Sequence, residues 1–434
     1  MKLDKSKIIK NIKSKIKEIS DNYMRNLSYE PLKSPAKENI RQMVKKEIRM
    51  RKGREIEAEI ENIMFECKLY NTKGEYPFHI NTNKKGDNHY QTFWRLSYGL
   101  NYKDIIDKSK YFTDALTAYV NIESRRGLLM IEVIKGIIPE KYRYNFNYIE
   151  HMNKIVPLPI GVTVNGVPII IDIVDMVHIL IGGLPNSGKS ILMTGWCDAL
   201  MQNPNVKLFM IDLAMTDFVH LKDYIIFGYD LNTASCIIEY LMQELEKRRH
   251  YLVKYNCVNI IKYNEKYPEN KLDYIILIID EFAFTSPRKY DNKENKKLRQ
   301  KLQGMIMDIS MMSRKTGIHL IIAMQRPSKE LIPMEIKSNF ATSISFKMSN
   351  YGTSMTILGN TDAYYLPNIK GRMIFQLGSR QMELQAMLLE QEDAIKRLKM
   401  HDKITDKIDK GDDIYNRLWQ YQIYEHTTKR LLPR

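Results

Sequence analysis

From Val156 to Glu390 the chain alternates short aliphatic runs with longer amphipathic stretches. The runs Ile169–Asp172, Val177–Ile181, Lys207–Ile211, Tyr274–Ile279, His319–Ala323, Ser343–Phe346 and Gly371–Gln376 predict strands. Several are almost wholly apolar, the pattern of strands covered on both faces. The intervening segments are long enough for right-handed helical crossovers. An α/β fold with a mostly parallel sheet and helices on both faces is therefore expected. Ligands in such sheets sit beyond the carboxyl ends of the strands.

One junction in this pattern carries chemistry. The apolar run ending at Ile181 meets Gly183-Leu184-Pro185-Asn186-Ser187-Gly188-Lys189-Ser190 and then opens, from Ile191, into an amphipathic segment. This spells G-x-x-x-x-G-K-S between a strand and a helix. Glycines at 183 and 188 let the backbone turn successive N–H groups toward a polyphosphate, and a side chain there would fill the cradle. Lys189 is placed to reach β- and γ-phosphates, Ser190 to complete a Mg²⁺ shell, and the helix start adds its positive end. ATP and Mg²⁺ are the expected cofactors, contacted by residues 183–191.

Two further strands end in polar groups. Tyr274–Ile279 runs into Asp280 and Glu281, with room for two α/β crossovers after Lys189. In P-loop enzymes an acid at this place orders the Mg²⁺ shell. A glutamate following it is placed to take a proton from the attacking water. His319–Met324 is followed by Gln325, which could touch the γ-phosphate or the lytic water. A lone glutamine at a strand end is more often structural. Its position beside the other two motifs raises the functional reading.

The rest of the chain adds partners rather than catalysis. Residues 1–66 read as a basic helical region. Ile8, Ile9, Ile12, Ile16 and Ile19 form one apolar stripe, Leu27–Pro35 a linker, and Ala36–Phe65 a second helix carrying Arg49–Arg54. Met1–Glu55 holds 17 Lys and Arg against 7 Asp and Glu. Residues 67–155 suggest a small α/β module, with strand-like runs at Phe93–Ser97 and Gly127–Val133 around a helix-like segment near Tyr111–Val120. Residues 156–390 form the α/β domain that carries the phosphate loop, and residues 391–434 a charged tail. The net charge of +16 favours a polyanionic partner, although an AT-rich genome also enriches lysine. No apolar run approaches the roughly 18 residues of a membrane span. Peripheral association with the inner face of a membrane stays open. The N-terminus lacks the apolar core of a signal peptide. Cys67, Cys197, Cys236 and Cys257 form no C-x-x-C pair, which points to a reduced, cytoplasmic setting rather than a zinc site.

Taken together, these motifs resemble the FtsK/SpoIIIE family of DNA-pumping ATPases, within the wider group that includes HerA. The resemblance runs from Val156 to about Leu389. It rests on VPLPIGVTVNGVPIIID, HILIGGLPNSGKS, KLFMIDLAM, LEKRRHYL, VNIIKYNE, IILIIDEFA, SRKTGIHLIIAMQRPS and EIKSNF. The stretch SNFATSISFKMSNYGTSMTILGN looks more like the branch found on conjugative elements, plasmids and phages. The resemblance implies a RecA-like P-loop NTPase motor. It further implies a homo-oligomeric ring, usually a hexamer, with ATP between neighbours and double-stranded DNA, bound without sequence specificity, in the channel. On that pattern Lys189 and Ser190 hold phosphate and Mg²⁺, Asp280 and Glu281 serve metal and water, and Gln325 senses the γ-phosphate. Arg314 falls where the family carries an arginine that reaches the neighbouring subunit's nucleotide. Ala214, Ser343, Tyr351 and Met355 stand where segregation members tend to carry basic residues.

DNA contact is expected from a flexible cationic loop, Thr285–Arg299, carrying Arg288, Lys289, Lys293, Lys296, Lys297 and Arg299. The leading expectation is an ATP-driven DNA translocase serving conjugative transfer or other mobile-element transport, with a relaxase or other transfer proteins as partners. The alternative is a nucleotide-gated DNA-binding or docking protein that recruits a relaxase or nuclease without processive movement. A kinase or GTPase is disfavoured, because the excess positive charge has no role there.

Overall fold

A computed structural model describes residues 56–404, apart from 87, 126–127, 329–330, 333–336 and 379. The isoleucine stripe, the Leu27–Pro35 linker, the Arg49–Arg54 cluster and the tail beyond 404 lie outside the described residues. The chain divides into two compact units, Met1–Lys135 and Gly136–Arg434.

In the first unit a four-stranded antiparallel sheet has the order β1-β2-β4-β3. Its strands are β1 (Phe78–Gly86), β2 (His89–Arg95), β3 (Ala118–Arg125) and β4 (Leu128–Lys135). Helix α1 (Ile56–Glu66) buries Ile56, Ile60, Ile63 and Met64, residues at helical spacing that form one face. With α2 (Ser109–Leu116) that face covers Trp94, Leu129, Ile131 and Val133. The helix-like segment expected near Tyr111–Val120 is shorter than that. It stops at Thr117, whose φ of 47° ends α2, and Ala118–Val120 already belong to β3. The alternation of apolar and polar residues from Ala118 suits a pleated strand rather than another helical turn.

The second unit is built on a ten-stranded sheet. Its strands are β5 (Pro157–Val162), β6 (Pro168–Asp172), β7 (Ile179–Gly182), β8 (Val206–Asp212), β9 (Ile226–Gly228), β10 (Tyr274–Asp280), β11 (Ile318–Met324), β12 (Thr342–Phe346), β13 (Arg372–Leu377) and β14 (Arg380–Gln385). Their order is β6-β5-β14-β13-β12-β7-β11-β10-β8-β9. From β12 across to β9 every neighbouring pair is parallel, and the other edge is antiparallel. The expected fold class is therefore observed, with an antiparallel flank added.

Alternation along the central strands feeds two cores. Ile275, Leu277 and Ile279 of β10 join Leu320 and Ile322 of β11 on the face covered by α4 (Leu231–Lys254) and α6 (Lys293–Met312). Ile276 and Ile278 join Ile321 on the face covered by α3 (Lys189–Met201), with α5 (Ile260–Lys266) contributing Ile260. Because both faces are dry, β10 and β11 need apolar residues at every position, which is why they stand out in the sequence. Gly136–Ile155, placed by sequence with the small module, packs on this unit. The Tyr144 hydroxyl donates to Asp198 Oδ2 at 2.9 Å and lies 3.0 Å from the Gly195 carbonyl oxygen. Arg397, on α8 (Gln391–Leu398), closes the group on Asp198 Oδ1 at 2.9 Å. A shorter helix, α7 (Tyr351–Leu358), follows β12. Among the described residues no helix is long and apolar enough to cross a membrane.

Two histidines are fully buried where β7 and β11 begin. His178 Nε2 bonds the Ser310 carbonyl at 3.1 Å while its Nδ1 accepts from Leu320 N–H at 3.0 Å. His319 Nδ1 bonds the Val177 carbonyl at 2.7 Å. Burial, and for His178 the facing His319, hold the pair neutral, with pKa values pushed down to about 3 and about 4. The unfolded chain takes up these protons near pH 6.5 and the folded chain does not. Stability is thus fully present above about pH 6.5 and falls as pH drops toward 4. At pH 5 the expected loss is about 2 kcal/mol per histidine. Urea midpoints at pH 7 and pH 5 check this, and replacing His319 with glutamine should reduce the difference.

Candidate functional site

The carboxyl ends of β7, β8, β10 and β11 converge on one site. Strand β7 ends at Gly182, the loop occupies 183–188, and α3 begins at Lys189. Gly188 has φ of 109°, and a Cβ there would lie 2.8 Å from the Gly371 nitrogen. Gly183, expected to need the same freedom, is not left-handed. Its constraint is packing, since a Cβ would lie 2.7 Å from Ser187 Oγ and 2.9 Å from Phe346 Cβ. Asn186 takes the other left-handed position, with φ of 62°. Backbone bonds tie the loop to its surroundings: Gly183 N–H to Met324 O at 3.2 Å, Leu184 N–H to Lys347 O at 3.3 Å, and Gly371 N–H to Ser187 O at 2.7 Å. Pro185, Asn186 and Ile191 are exposed along its rim.

Behind the loop lies a buried charge cluster. Lys189 Nζ donates to Asp280 Oδ1 at 2.8 Å, and each side chain is only 4% exposed. Glu281, at the left-handed φ of 57°, turns its carboxylate to the backbone N–H of Gln325 at 2.8 Å. Burial raises the Glu281 carboxyl above the usual range, opposed by that N–H and by the Lys189 charge. Asp212 pairs in register with Asp280 across β8 and β10. Burial and the Asp280 charge raise Asp212 as well. In the sequence Asp212 lies within KLFMIDLAM, where no spacing to another motif marks it. Its only local signal is an acid ending an apolar strand.

The structure therefore brings residues 183–191, Asp280, Glu281 and Gln325 together. It does not bring Arg314 to them. Arg314 is exposed in the turn before β11, at the opposite end of that strand from Gln325, about 23 Å of extended chain away.

The flexible cationic loop is also corrected. Asn292 caps α6 by accepting from Asn295 N–H at 2.7 Å, so Lys293, Lys296, Lys297 and Arg299 stand on a helix. Arg299 is buried and paired with Asp291 at 3.0 Å, where burial and the neighbouring Arg288 lower its pKa. Thr285 and Ser286 are buried too. Arg288 stacks its guanidinium 4.7 Å from the Phe284 ring centroid. Lys289 lies beside Tyr290, which is exposed.

Residues 143–329 match the FtsK/SpoIIIE family. The chain carries an FtsK/SpoIIIE domain. A DNA translocase FtsK of Borreliella burgdorferi is 32% identical over 236 residues, which cover 51% of this chain and 28% of that protein. The corresponding protein of Caldanaerobacter subterraneus is 32% identical over 228 residues, covering 50% and 30%. The chain thus spans about a third of the length of these curated relatives. Among solved structures, the pCW3 conjugation coupling protein TcpA shares the fold with a TM-score of 0.58. The likeness covers 79% of this chain and 98% of that one at 24% identity. EssC ATPases 2 and 3 from Geobacillus thermodenitrificans follow at a TM-score of 0.52 and 16% identity, covering 67% and 53%.

The FtsK/SpoIIIE domain is a P-loop ATPase domain, and its residues fit ATP and Mg²⁺ on the geometry alone. Gly188 gives α3 no side-chain cap, which leaves its first-turn N–H groups for an oxygen-rich anion. Ser187 Oγ and Asp212 Oδ2 are buried without a hydrogen-bond partner, a state that native interiors rarely leave unexplained. The Lys189 charge is neutralised by Asp280. Cation and anion partners are thus both provided within one site.

Proposed function

We propose that this chain is an ATP-driven DNA translocase that hydrolyses ATP between subunits of a ring, serving conjugative transfer or other mobile-element transport. The observation that carries the reading is the buried Lys189–Asp280 pair behind a glycine-lined loop, with Glu281 one residue on. Bound ATP with Mg²⁺ supplies the phosphoanhydride bond whose cleavage drives movement. First-turn N–H groups and Lys189 hold its phosphates, and Ser190 and Asp280 hold the metal. Glu281 accepts a proton from water, a task helped by its raised pKa. The Glu281 bond to Gln325 N–H couples the base to the segment that follows β11. Arg314, exposed and remote from its own loop, acts on a neighbouring subunit.

Nonspecific DNA contact is assigned to Arg288, Lys289, Lys293, Lys296 and Lys297. Arg299 is withdrawn from that set because it is buried. The FtsK relatives, named as DNA translocases, support DNA as the partner. The fold shared with a conjugation coupling protein, together with the sequence of the motor's tail, favours transfer. A relaxase or other transfer protein is the matching partner.

A DNA-stimulated ATPase assay paired with triplex displacement tests the proposal. Hydrolysis with displacement is expected. DNA retention that depends on nucleotide but moves no triplex would favour the docking alternative. Neutralising Lys289, Lys293, Lys296 and Lys297 together should weaken stimulation on every sequence. It should also flatten the dependence on salt by about one unit of slope for each phosphate no longer neutralised. Unchanged stimulation would remove this segment from the DNA path.

A further inference from the structure

The hydroxyl of Ser190 and the carboxylate of Asp280 are the two groups assigned to the metal, and each already has a partner. Asp280 Oδ1 is held by Lys189 at 2.8 Å. The Ser190 hydroxyl donates to Asp217 Oδ2, on the segment that follows β8. Asp217 has no part in the motifs read from the sequence, and its side chain is exposed at the mouth of the site.

Its mounting is unusually complete for an exposed residue. Asp212 Oδ1 accepts the N–H groups of Ala214 and Met215, both at 3.0 Å. Met215 takes a left-handed φ of 54°, reversing the chain. Phe218, fully buried, anchors the next residue in the core. The His220 ring bonds the backbone of Asp217 itself. The loop is therefore pinned before, at and after the carboxylate.

A hydroxyl that ligates Mg²⁺ offers an oxygen lone pair, so its proton must point to an acceptor elsewhere. Asp280 is itself assigned to the metal, and Asp217 is the acceptor already in contact. We infer that Asp217 is a positioning residue for the metal: its carboxylate accepts the hydrogen bond of the Ser190 hydroxyl and so turns the Ser190 oxygen toward the cation. This rests on the reading of the loop as an ATP·Mg²⁺ site. Partners of this kind typically set metal affinity by 10–100-fold.

The test uses the full chain and a fluorescent ATP analogue, with binding followed across a Mg²⁺ titration and in EDTA. Asp217→Ala should raise the Mg²⁺ concentration at half-saturation by about 10–100-fold while leaving the affinity in EDTA unchanged. Asp217→Asn keeps an acceptor oxygen and should fall between the two. In a Ser190→Ala background, Asp217→Ala should add nothing further. The inference is overturned if Asp217→Ala leaves half-saturation within twofold of the parent, or lowers affinity equally in EDTA. It also fails if the two substitutions act additively. A parent protein that binds the analogue without any Mg²⁺ dependence overturns the underlying site reading along with it. Superimposable thermal unfolding of parent and variants separates these outcomes from a folding defect.

Discussion

Replacing Lys189 with alanine is expected to destabilise the protein by about 3–5 kcal/mol as well as to abolish nucleotide retention. The reason is the company that lysine keeps. Its ammonium is the partner of Asp280, both are 4% exposed, and Asp212 lies in register beside them. Removing the cation leaves a buried carboxylate facing a second one, and an uncompensated buried charge is costly in a way that a missing surface pair is not. The double variant Lys189→Ala, Asp280→Asn removes both charges and should recover most of the lost stability without restoring nucleotide binding. Denaturant unfolding of the single and double variants, beside binding of an ATP analogue, checks both halves. Equal stability of parent and Lys189→Ala would mean that the pair is not closed in solution.

The second large effect has the opposite signature. Glu281→Gln should lower hydrolysis by about 10²–10⁴-fold, the usual contribution of a general base, while leaving stability at or above the parent's. Glutamine keeps an oxygen that can accept from Gln325 N–H, and it removes a charge that burial already disfavours. The variant should therefore hold ATP longer and displace no triplex. Single-turnover hydrolysis with retained analogue binding measures this, and normal displacement would remove Glu281 from the base role. Paired with Lys189→Ala, it separates two kinds of failure: one variant loses the bound state and part of the fold, the other loses only the chemical step.

How much of this was legible in the chain differs from element to element. Strands β7, β8, β10 and β11 were readable because both of their faces are dry, which forces aliphatic residues at successive positions. Strand β14 was not, because Arg380, Gln381 and Glu383 make it locally indistinguishable from a loop. It exists through its antiparallel pairing with β13. Strand β9 is three residues long and is held by β8, so it has no period to detect. The phosphate loop was legible because its spacing is local, yet the reason for Gly183 was not. Its neighbour Phe346 arrives from β12, far along the chain.

By itself the sequence determined which segments become buried strands, where the glycine-lined loop lies, and that two acids end a strand able to sit near it. Each of these depends on contiguous residues whose hydrophobicity, backbone freedom or charge acts locally. Only the tertiary structure decided that Asp280 closes on Lys189, that Asp217 takes the Ser190 hydroxyl, that Arg299 is buried against Asp291, and that Arg314 stands a strand's length from its own loop. Those outcomes follow from strand order and register, which bring distant segments within hydrogen-bond reach or keep them apart. No window of neighbouring residues encodes that separation.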